Sequence, residues 1–203
     1  MDAKWIDVAG ARVPVPGCYQ RVRSMPDDPQ GAVPLATESD ASTAFVLLYP
    51  IPPEHAMPYD DPEAVIEGIH QAHGDDQGLV GVKSAKTQSG VSYIYSIVKT
   101  MMDPVGVQYG LTMDIETGSG ALHVQGFFGE KGMTGARASV VFAMLSSKGE
   151  LGPDMEGWAK DPYDEGHTRG VLANLSETAE YDALFPDDPL SVARAFVACL
   201  VSV

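Results

Sequence analysis

The sequence is poor in cysteine. Cys18 and Cys199 are its two cysteines, and they lie near opposite ends of 203 residues. Two cysteines do not make a disulfide framework, so we expect two reduced, half-buried thiols. A single long-range disulfide stays an alternative, because a sequence does not establish the proximity that such a bond needs.

Basic residues are also scarce. Thirteen Lys and Arg stand against 28 Asp and Glu, which gives a net charge of −15 at pH 7. A negative field of this size repels phosphate backbones and anionic lipids, so it argues against nucleic acid and membrane surfaces as partners. The same charge favours a protein partner that has a basic surface.

Long apolar runs are missing as well. Residues 1–10 (MDAKWIDVAG) contain no apolar stretch of an export signal. No later stretch approaches the roughly 18 consecutive apolar residues of a membrane-spanning helix. We therefore expect a cytoplasmic protein.

Common catalytic motifs are absent. The sequence contains neither G-x-S-x-G nor H-E-x-x-H, and neither cysteine has a histidine near it in the sequence. The carboxylates are too many and too evenly spread to single out a catalytic pair. We predict no catalytic residues and no cofactor, and the pattern favours a protein that is not an enzyme.

The order of secondary-structure elements is clear. The pairs Asp61-Pro62 and Asp188-Pro189 mark two helix starts, and a third helix is predicted over Ala136–Ser147. Apolar or alternating runs predict strands at 5–8, 11–15, Ala44–Ile51, Leu79–Thr87, Val91–Thr100, Val105–Ile115 and Ala121–Phe128. Residues 24–42 and 149–170 are predicted to be loops.

These elements predict one α+β domain over residues 1–203. We expect a mainly antiparallel sheet of about six strands, packed with two to three helices. Pro14 and Pro16 confine the second strand to a sheet edge, since proline cannot donate to a strand ladder. An acidic, loop-rich segment at 150–189 precedes most of the C-terminal helix.

The element order over most of residues 1–148 resembles the Mog1/PsbP-like fold. The resemblance rests on a proline-rich first hairpin (VPVPG, Val13–Gly17) followed by a strand, a helix, a meander and a late helix. That fold also includes bacterial families of unknown function, and the chain is similar to such an uncharacterised bacterial protein. The resemblance implies a non-enzymatic binding or accessory role, and it carries no partner-contacting residue over to this sequence.

Residues 126–140 (GFFGEKGMTGARASV) form the most site-like stretch. A nucleotide P-loop is excluded, because Lys131 precedes Gly132 and Thr134 lies two residues beyond it. The free N–H groups of a helix that starts near Thr134 or Gly135 would suit an anion, assisted by Lys131 and Arg137. The alternative, which the acidity of the chain favours, is that Thr134 caps the helix and Arg137 pairs with an internal carboxylate.

His70 and His73 lie three residues apart near the end of the first helix, so they share a helix face. They are weak candidates for a metal site, which would need a third ligand from His55, His123 or His167. Histidines at a helix C-terminus also interact favourably with the helix dipole without any metal. The sequence therefore predicts no metal site on its own.

The segment 150–189 holds eleven Asp and Glu against Lys160 and Arg169. It is either a solvated face or a docking surface for a basic partner, with Asp161, Asp164 and Glu165 as candidate contacts. The stretch DPYDEGHTRG (161–170) lacks the spacing of a calcium loop. We expect a non-enzymatic protein-binding or accessory module. The alternative is a small-molecule or anion-binding domain, possibly enzymatic, that uses the helix start at 131–137.

Overall fold

The computed structural model describes residues 2–102 and 106–202. The strands of this part of the chain are β1 (Ala3–Val8), β2 (Ala11–Pro16), β3 (Gln20–Arg21), β4 (Val33–Glu38), β5 (Ser42–Ile51), β6 (Gln77–Lys86), β7 (Ser92–Met101), β8 (Val107–Thr117) and β9 (Gly120–Glu130). The helices are α1 (Pro62–Ala72), α2 (Ala136–Lys148) and α3 (Pro189–Leu200). The predicted start of β8 at Val105 lies outside the described residues.

Seven strands form one antiparallel sheet in the order β3-β4-β5-β9-β8-β7-β6. The α+β class and the mainly antiparallel sheet are therefore confirmed, although the strands outnumber the six that we expected. The largest difference is β4, which lies in residues predicted to be a loop. It pairs with β5 from Val33↔Leu48 to Glu38↔Thr43, so a neighbouring strand gives it an order that its own composition does not indicate.

The first two strands form a separate hairpin. β1 pairs with β2 around a turn at Ala9 and Gly10, whose φ angles of 50° and 87° are both positive. Among the described strands, β2 has β1 as its one partner, which fits the edge position that Pro14 and Pro16 demand. The predicted hairpin is thus present as a two-stranded sheet beside the large one.

The main core lies between one face of the large sheet, the hairpin and α3. Tyr93, Tyr95 and Ile97 of β7 all face it, as their alternation predicted. The apolar residues of α3 recur at helical spacing and are buried along its length: Leu190, Ala193, Phe196, Val197 and Leu200. A fully buried side chain of this kind contributes about 1.5–3 kcal/mol. Packing of this stripe therefore fixes α3 on the sheet.

Two of the three helix starts use the predicted cap. Asp61 Oδ1 accepts the N–H of Ala64 at 3.0 Å, and Asp188 Oδ1 accepts the N–H of Leu190 at 3.0 Å. In both helices proline follows the capping residue, where its missing N–H costs no hydrogen bond. The Asp-Pro signal thus set these boundaries correctly.

The second face of the large sheet is covered over β6, β7 and β8. Leu79 and Ile94 are buried there although they lie outside the main core. Helix α1 packs against β6, and the N–H of Met57 donates to Asp114 Oδ2 of β8 at 2.7 Å. Residues 57–73 therefore form the cover of this half of the face.

The acidic segment runs along the edge strand β6. The N–H of Val171 donates to the Gln77 carbonyl at 2.9 Å, and Tyr163 Oη bonds both the N–H and the carbonyl of Val82. These contacts occupy backbone groups that an edge strand otherwise leaves open. None of the helices in residues 2–102 and 106–202 combines the length and the apolar character that spanning a bilayer requires.

Candidate functional site

Arg137, in the first turn of α2, points into the protein and is only 3% exposed. It donates one hydrogen bond for each of its five N–H groups, to two carbonyls, a hydroxyl and two carboxylates: Ser176 O (2.6 Å), Thr178 O (3.0 Å), Ser191 Oγ (2.8 Å), Asp182 Oδ1 (2.8 Å) and Asp188 Oδ1 (3.1 Å). No guanidinium N–H is left over for a ligand. The geometry supports the interpretation in which Arg137 pairs with internal carboxylates.

The start of α2 differs from the prediction. Its N-cap is Gly135, whose φ of 68° is left-handed, and no side chain among the described residues caps the helix. Thr134 is therefore not the cap that we expected, because the chain turns one residue later at a glycine that permits this conformation. The N–H of Gly135 donates instead to Glu130 Oε1 at 2.7 Å. This carboxylate lies where an anion would have to bind.

Lys131 lies away from Arg137. Its Nζ is 3.3 Å from Glu38 Oε2, and both side chains are largely exposed. The structure therefore does not bring Lys131, Thr134 and Arg137 to one open site.

The candidate metal ligands His70 and His73 gain two partners in the fold, Asp161 and His167. The rings of His70 and His167 stack with their centroids 4.1 Å apart. His70 Nε2 is 2.9 Å from Asp161 Oδ2, and His73 Nε2 is 3.1 Å from His167 Nε2. We call these four residues the histidine cluster. Ligand atoms from His70, Asp161 and His167 all lie within 4.8 Å of one another.

The histidine cluster is largely shielded from solvent. His73 and Asp161 are 4% exposed each, and the other two members are half-buried. His73 Nδ1 is 3.0 Å from the Gly74 carbonyl, and since a carbonyl only accepts, this nitrogen carries the proton of the neutral ring. The lone pair of His73 is then on Nε2, toward His167.

The other two histidines lie outside this cluster. His55 is exposed in a short 3-10 turn. His123 Nδ1 is 2.6 Å from Asp114 Oδ1, and this carboxylate is fully buried. Burial, and after it the carboxylates of Asp114 and Glu116, raise the pKa of Tyr59 to about 12. Asp114 also accepts the N–H of Met57. It therefore ties residues 57–73, which cover this half of the sheet, to β8.

Of the three candidate partner contacts, Asp161 lies inside the protein. Asp161 is buried, since Oδ1 accepts the N–H groups of Tyr163 and Asp164 while Oδ2 bonds His70. It therefore holds the turn together and offers no surface to a partner. Asp164 and Glu165 are exposed, and their role in partner binding stays a prediction.

Both cysteines are free thiols. Cys18 is exposed and Cys199 is buried. Burial raises the pKa of the Cys199 thiol. The structure therefore agrees with two reduced thiols, whereas the expectation that both are half-buried is wrong.

The second face of the sheet is open over β3, β4, β5 and the end of β9. A groove of about 670 Å³ lies there, with Phe45 and Phe127 side by side as cross-strand partners. Phe127 is 37% exposed, and Val22 adds a third apolar side chain. We call this surface the open face. A groove of this size that presents large apolar side chains, and that no described part of the chain covers, is suited to binding.

No protein-family model and no curated protein matches the sequence. Among solved structures, the Ran-binding protein Mog1p of Saccharomyces cerevisiae is 13% identical, with 70% of this chain and 84% of that chain covered and a TM-score of 0.43. The PsbP protein of the cyanobacterium Synechocystis is 15% identical, with 68% and 83% covered and a TM-score of 0.38. A protein of unknown function from Pseudomonas aeruginosa, a putative regulator by its description, is 10% identical, with 74% and 96% covered and a TM-score of 0.33.

The order of elements indicated a resemblance to the Mog1/PsbP-like fold, and Mog1 and PsbP proteins are among these similar structures. At such identities the likeness concerns the fold alone. It carries no argument about activity or partners, which have to be reasoned from the surfaces of this chain.

Proposed function

We propose that this protein is a non-enzymatic binding module that engages another protein through the open face of its sheet. The observation that carries the proposal is the pair Phe45 and Phe127, which line an uncovered groove of about 670 Å³. Large apolar side chains are normally buried, so a groove built around two of them favours a partner that covers them.

The chemistry of the groove favours an apolar segment with basic neighbours. Phe45, Phe127 and Val22 supply apolar surface, whereas Glu38 lines the same groove and is 72% exposed at its side chain. The net charge of −15 adds long-range attraction for a cationic surface. Apolar contacts are expected to supply most of the affinity, and the charges to speed association.

A capture experiment with a matched control tests the proposal. The immobilised full chain, its Phe127→Ser variant and a Val140→Ser variant are exposed to the same native extract at low and at high salt. Val140 is a suitable control, because it is 47% exposed on α2 and does not line the groove. We expect a protein that the wild type and Val140→Ser retain, and that high salt weakens.

The purified partner is then titrated against the three chains. Loss of a central aromatic contact is expected to weaken binding by on the order of tenfold or more. A separate variant with Asp164→Asn and Glu165→Gln should flatten the salt dependence if the acidic segment contributes. The proposal fails if Phe127→Ser binds the same proteins as the wild type with equal affinity, or if no protein is retained.

A further inference from the structure

We propose that His70, Asp161 and His167 bind one divalent first-row transition-metal ion, zinc in the first instance, and that the ion fastens the acidic segment to α1. His70 belongs to the last turn of α1, while the other two ligands belong to the acidic segment. The site lies beside the edge strand β6. The open face lies toward the other edge of the sheet, over β3, β4 and β5. It goes beyond the proposed function, and its test does not depend on any partner.

The distances fit a metal centre. With Zn–N bonds of about 2.0–2.1 Å, two ligand atoms of a tetrahedral site lie roughly 3.3 Å apart. His70 Nε2 and Asp161 Oδ2 are 2.9 Å apart, and ligand atoms of all three residues lie within 4.8 Å of one another. The three ligands therefore lie within reach of one ion once the stacked rings of His70 and His167 rotate toward it, and the ion would replace the hydrogen bond between His70 and Asp161.

The ligand types select the metal. Two imidazoles and one carboxylate suit zinc and its first-row neighbours, whereas Mg²⁺ and Ca²⁺ prefer sites made wholly of oxygen ligands. Three protein ligands leave a fourth position of a tetrahedral site to water or another small ligand. We therefore expect Zn²⁺ and Co²⁺ to bind, and Mg²⁺ not to bind.

His73 acts as a positioning residue for this site. Its Nδ1 faces the Gly74 carbonyl at 3.0 Å, and its Nε2 faces His167 Nε2 at 3.1 Å. Metal-binding histidines are commonly oriented by hydrogen bonds of this outer kind, and losing one lowers metal affinity about 10- to 100-fold. His73 is itself buried, so it holds the His167 ring in a fixed place.

The loop that carries Asp161 and His167 is held by the fold before any metal binds. Tyr163 bonds Val82, and Val171 bonds Gln77, so the loop is tied to β6 between and after the two ligands. Asp161 Oδ1 meanwhile holds the turn by accepting two backbone N–H groups. A site that is arranged in advance loses less conformational freedom when the ion arrives.

Metal binding to the chelator-treated full chain is the first test. Calorimetric titration should give one Zn²⁺ per chain, no heat with Mg²⁺, and a Co²⁺ complex whose visible spectrum reports nitrogen and oxygen ligands. At a free metal concentration about 100 times Kd, the melting temperature should rise by about 5–10 °C. The absence of stoichiometric Zn²⁺ or Co²⁺ binding to the wild type would overturn the proposal directly.

Variants assign the ligands. His70→Gln, His167→Gln and Asp161→Asn should each weaken Zn²⁺ binding more than tenfold and change the Co²⁺ spectrum, whereas His55→Gln should match the wild type. His73→Gln should weaken binding about 10- to 100-fold and leave the ligand spectrum in place. If instead His73→Gln lowers only the metal-free melting temperature, its positioning role is refuted.

Trypsin reports whether the ion fastens the segment. Lys160 and Arg169 flank the loop and have largely exposed side chains. Zn²⁺ should slow cleavage after both at least severalfold, while cleavage after Lys148, outside the loop, serves as an internal control for the protease. Equal slowing at all three positions, or persistent protection in His167→Gln, would contradict the fastening role.

Discussion

Replacing Arg137 with methionine tests whether its buried network holds the acidic segment on the fold. Methionine preserves much of the length and apolar bulk of the side chain but removes the charge and all five N–H donors. The substitution takes away the hydrogen bonds to Ser176, Thr178 and Ser191 and both ion pairs. Two carboxylates and two carbonyls then lose a donor that α2 supplied.

The expected loss is large but not maximal. Removing one partner of a buried ion pair costs about 3–5 kcal/mol, because an uncompensated charge stays behind. Asp182 keeps Arg194 at 2.9 Å, and Asp188 keeps the N–H of Leu190 at 3.0 Å. We therefore expect a loss of about 3–4 kcal/mol in the free energy of unfolding, which corresponds to a melting temperature lower by about 6–16 °C.

The loss should shrink as the pH falls. Burial raises the pKa of Asp188 above its ordinary value, while Arg137 opposes that rise. Without Arg137 the pKa rises further, so the folded variant binds a proton more readily than the unfolded chain does. Its stability relative to the wild type therefore increases as the pH falls through the folded-state pKa of Asp188.

Urea unfolding measures these quantities, with circular dichroism and tryptophan fluorescence as probes. The ring of Trp158 packs edge-on against Phe142 of α2 at 5.2 Å, so its emission reports on the contact between the helix and the segment. Arg169→Met is the control, because Arg169 is 56% exposed at its side chain and its ion pair with Asp75 lies at the surface. The control should stay within about 0.5 kcal/mol of the wild type. If the free energy of unfolding of Arg137→Met also stays within about 0.5 kcal/mol of the wild type, the Arg137 network does not hold the segment.

Three further predictions follow from local geometry. Gly78→Ala places a Cβ 1.6 Å from the Val171 carbonyl oxygen, so it should detach the acidic segment from β6 and accelerate its proteolysis. The control Gly118→Ala meets nothing within 4 Å and should leave the rate of proteolysis unchanged. Gly68→Ala on the exposed side of α1 also meets nothing within 4 Å, and should raise the free energy of unfolding by about 0.5–1 kcal/mol in urea titrations. The pKa of Tyr59 is raised to about 12, so the unfolded chain ionises first above about pH 10 and stability falls as the pH rises toward 12. Unfolding at pH 9 and 11 should show that Tyr59→Phe flattens this fall.

Much of the fold was visible in the sequence because local signals and tertiary contacts agree there. The alternation in Val91–Thr100 places Tyr93, Tyr95 and Ile97 on the buried face, as observed. The strand β4 was missed because its order comes from pairing with β5, and a strand of 6 residues that begins Val-Pro beside many Asp and Gly residues looks like a loop. Pairing across the sheet is not a local property of the chain.

For the histidine cluster, the sequence predicts the two residues on α1 but not the two residues that meet them. His70 and His73 share a helix face, which their spacing of three shows. Their partners Asp161 and His167 lie more than 90 residues away in a segment without periodicity, so nothing local joins them. The one available signal was that a single short loop holds both a carboxylate and an imidazole. Pairing of residues so far apart required the three-dimensional fold.

The number of acidic residues in the segment 150–189 overstates the negative charge that its surface presents. Four of its eleven carboxylates are buried or half-buried and bond cationic or imidazole groups: Asp161, Glu177, Asp182 and Asp188. Glu177 alone joins Lys99 at 2.9 Å and the hydroxyl of Tyr109 at 3.0 Å, in a buried network. The remaining seven are exposed. A basic partner would therefore meet fewer charges than the sequence suggests, and the inward carboxylates serve to fix the segment that presents the others.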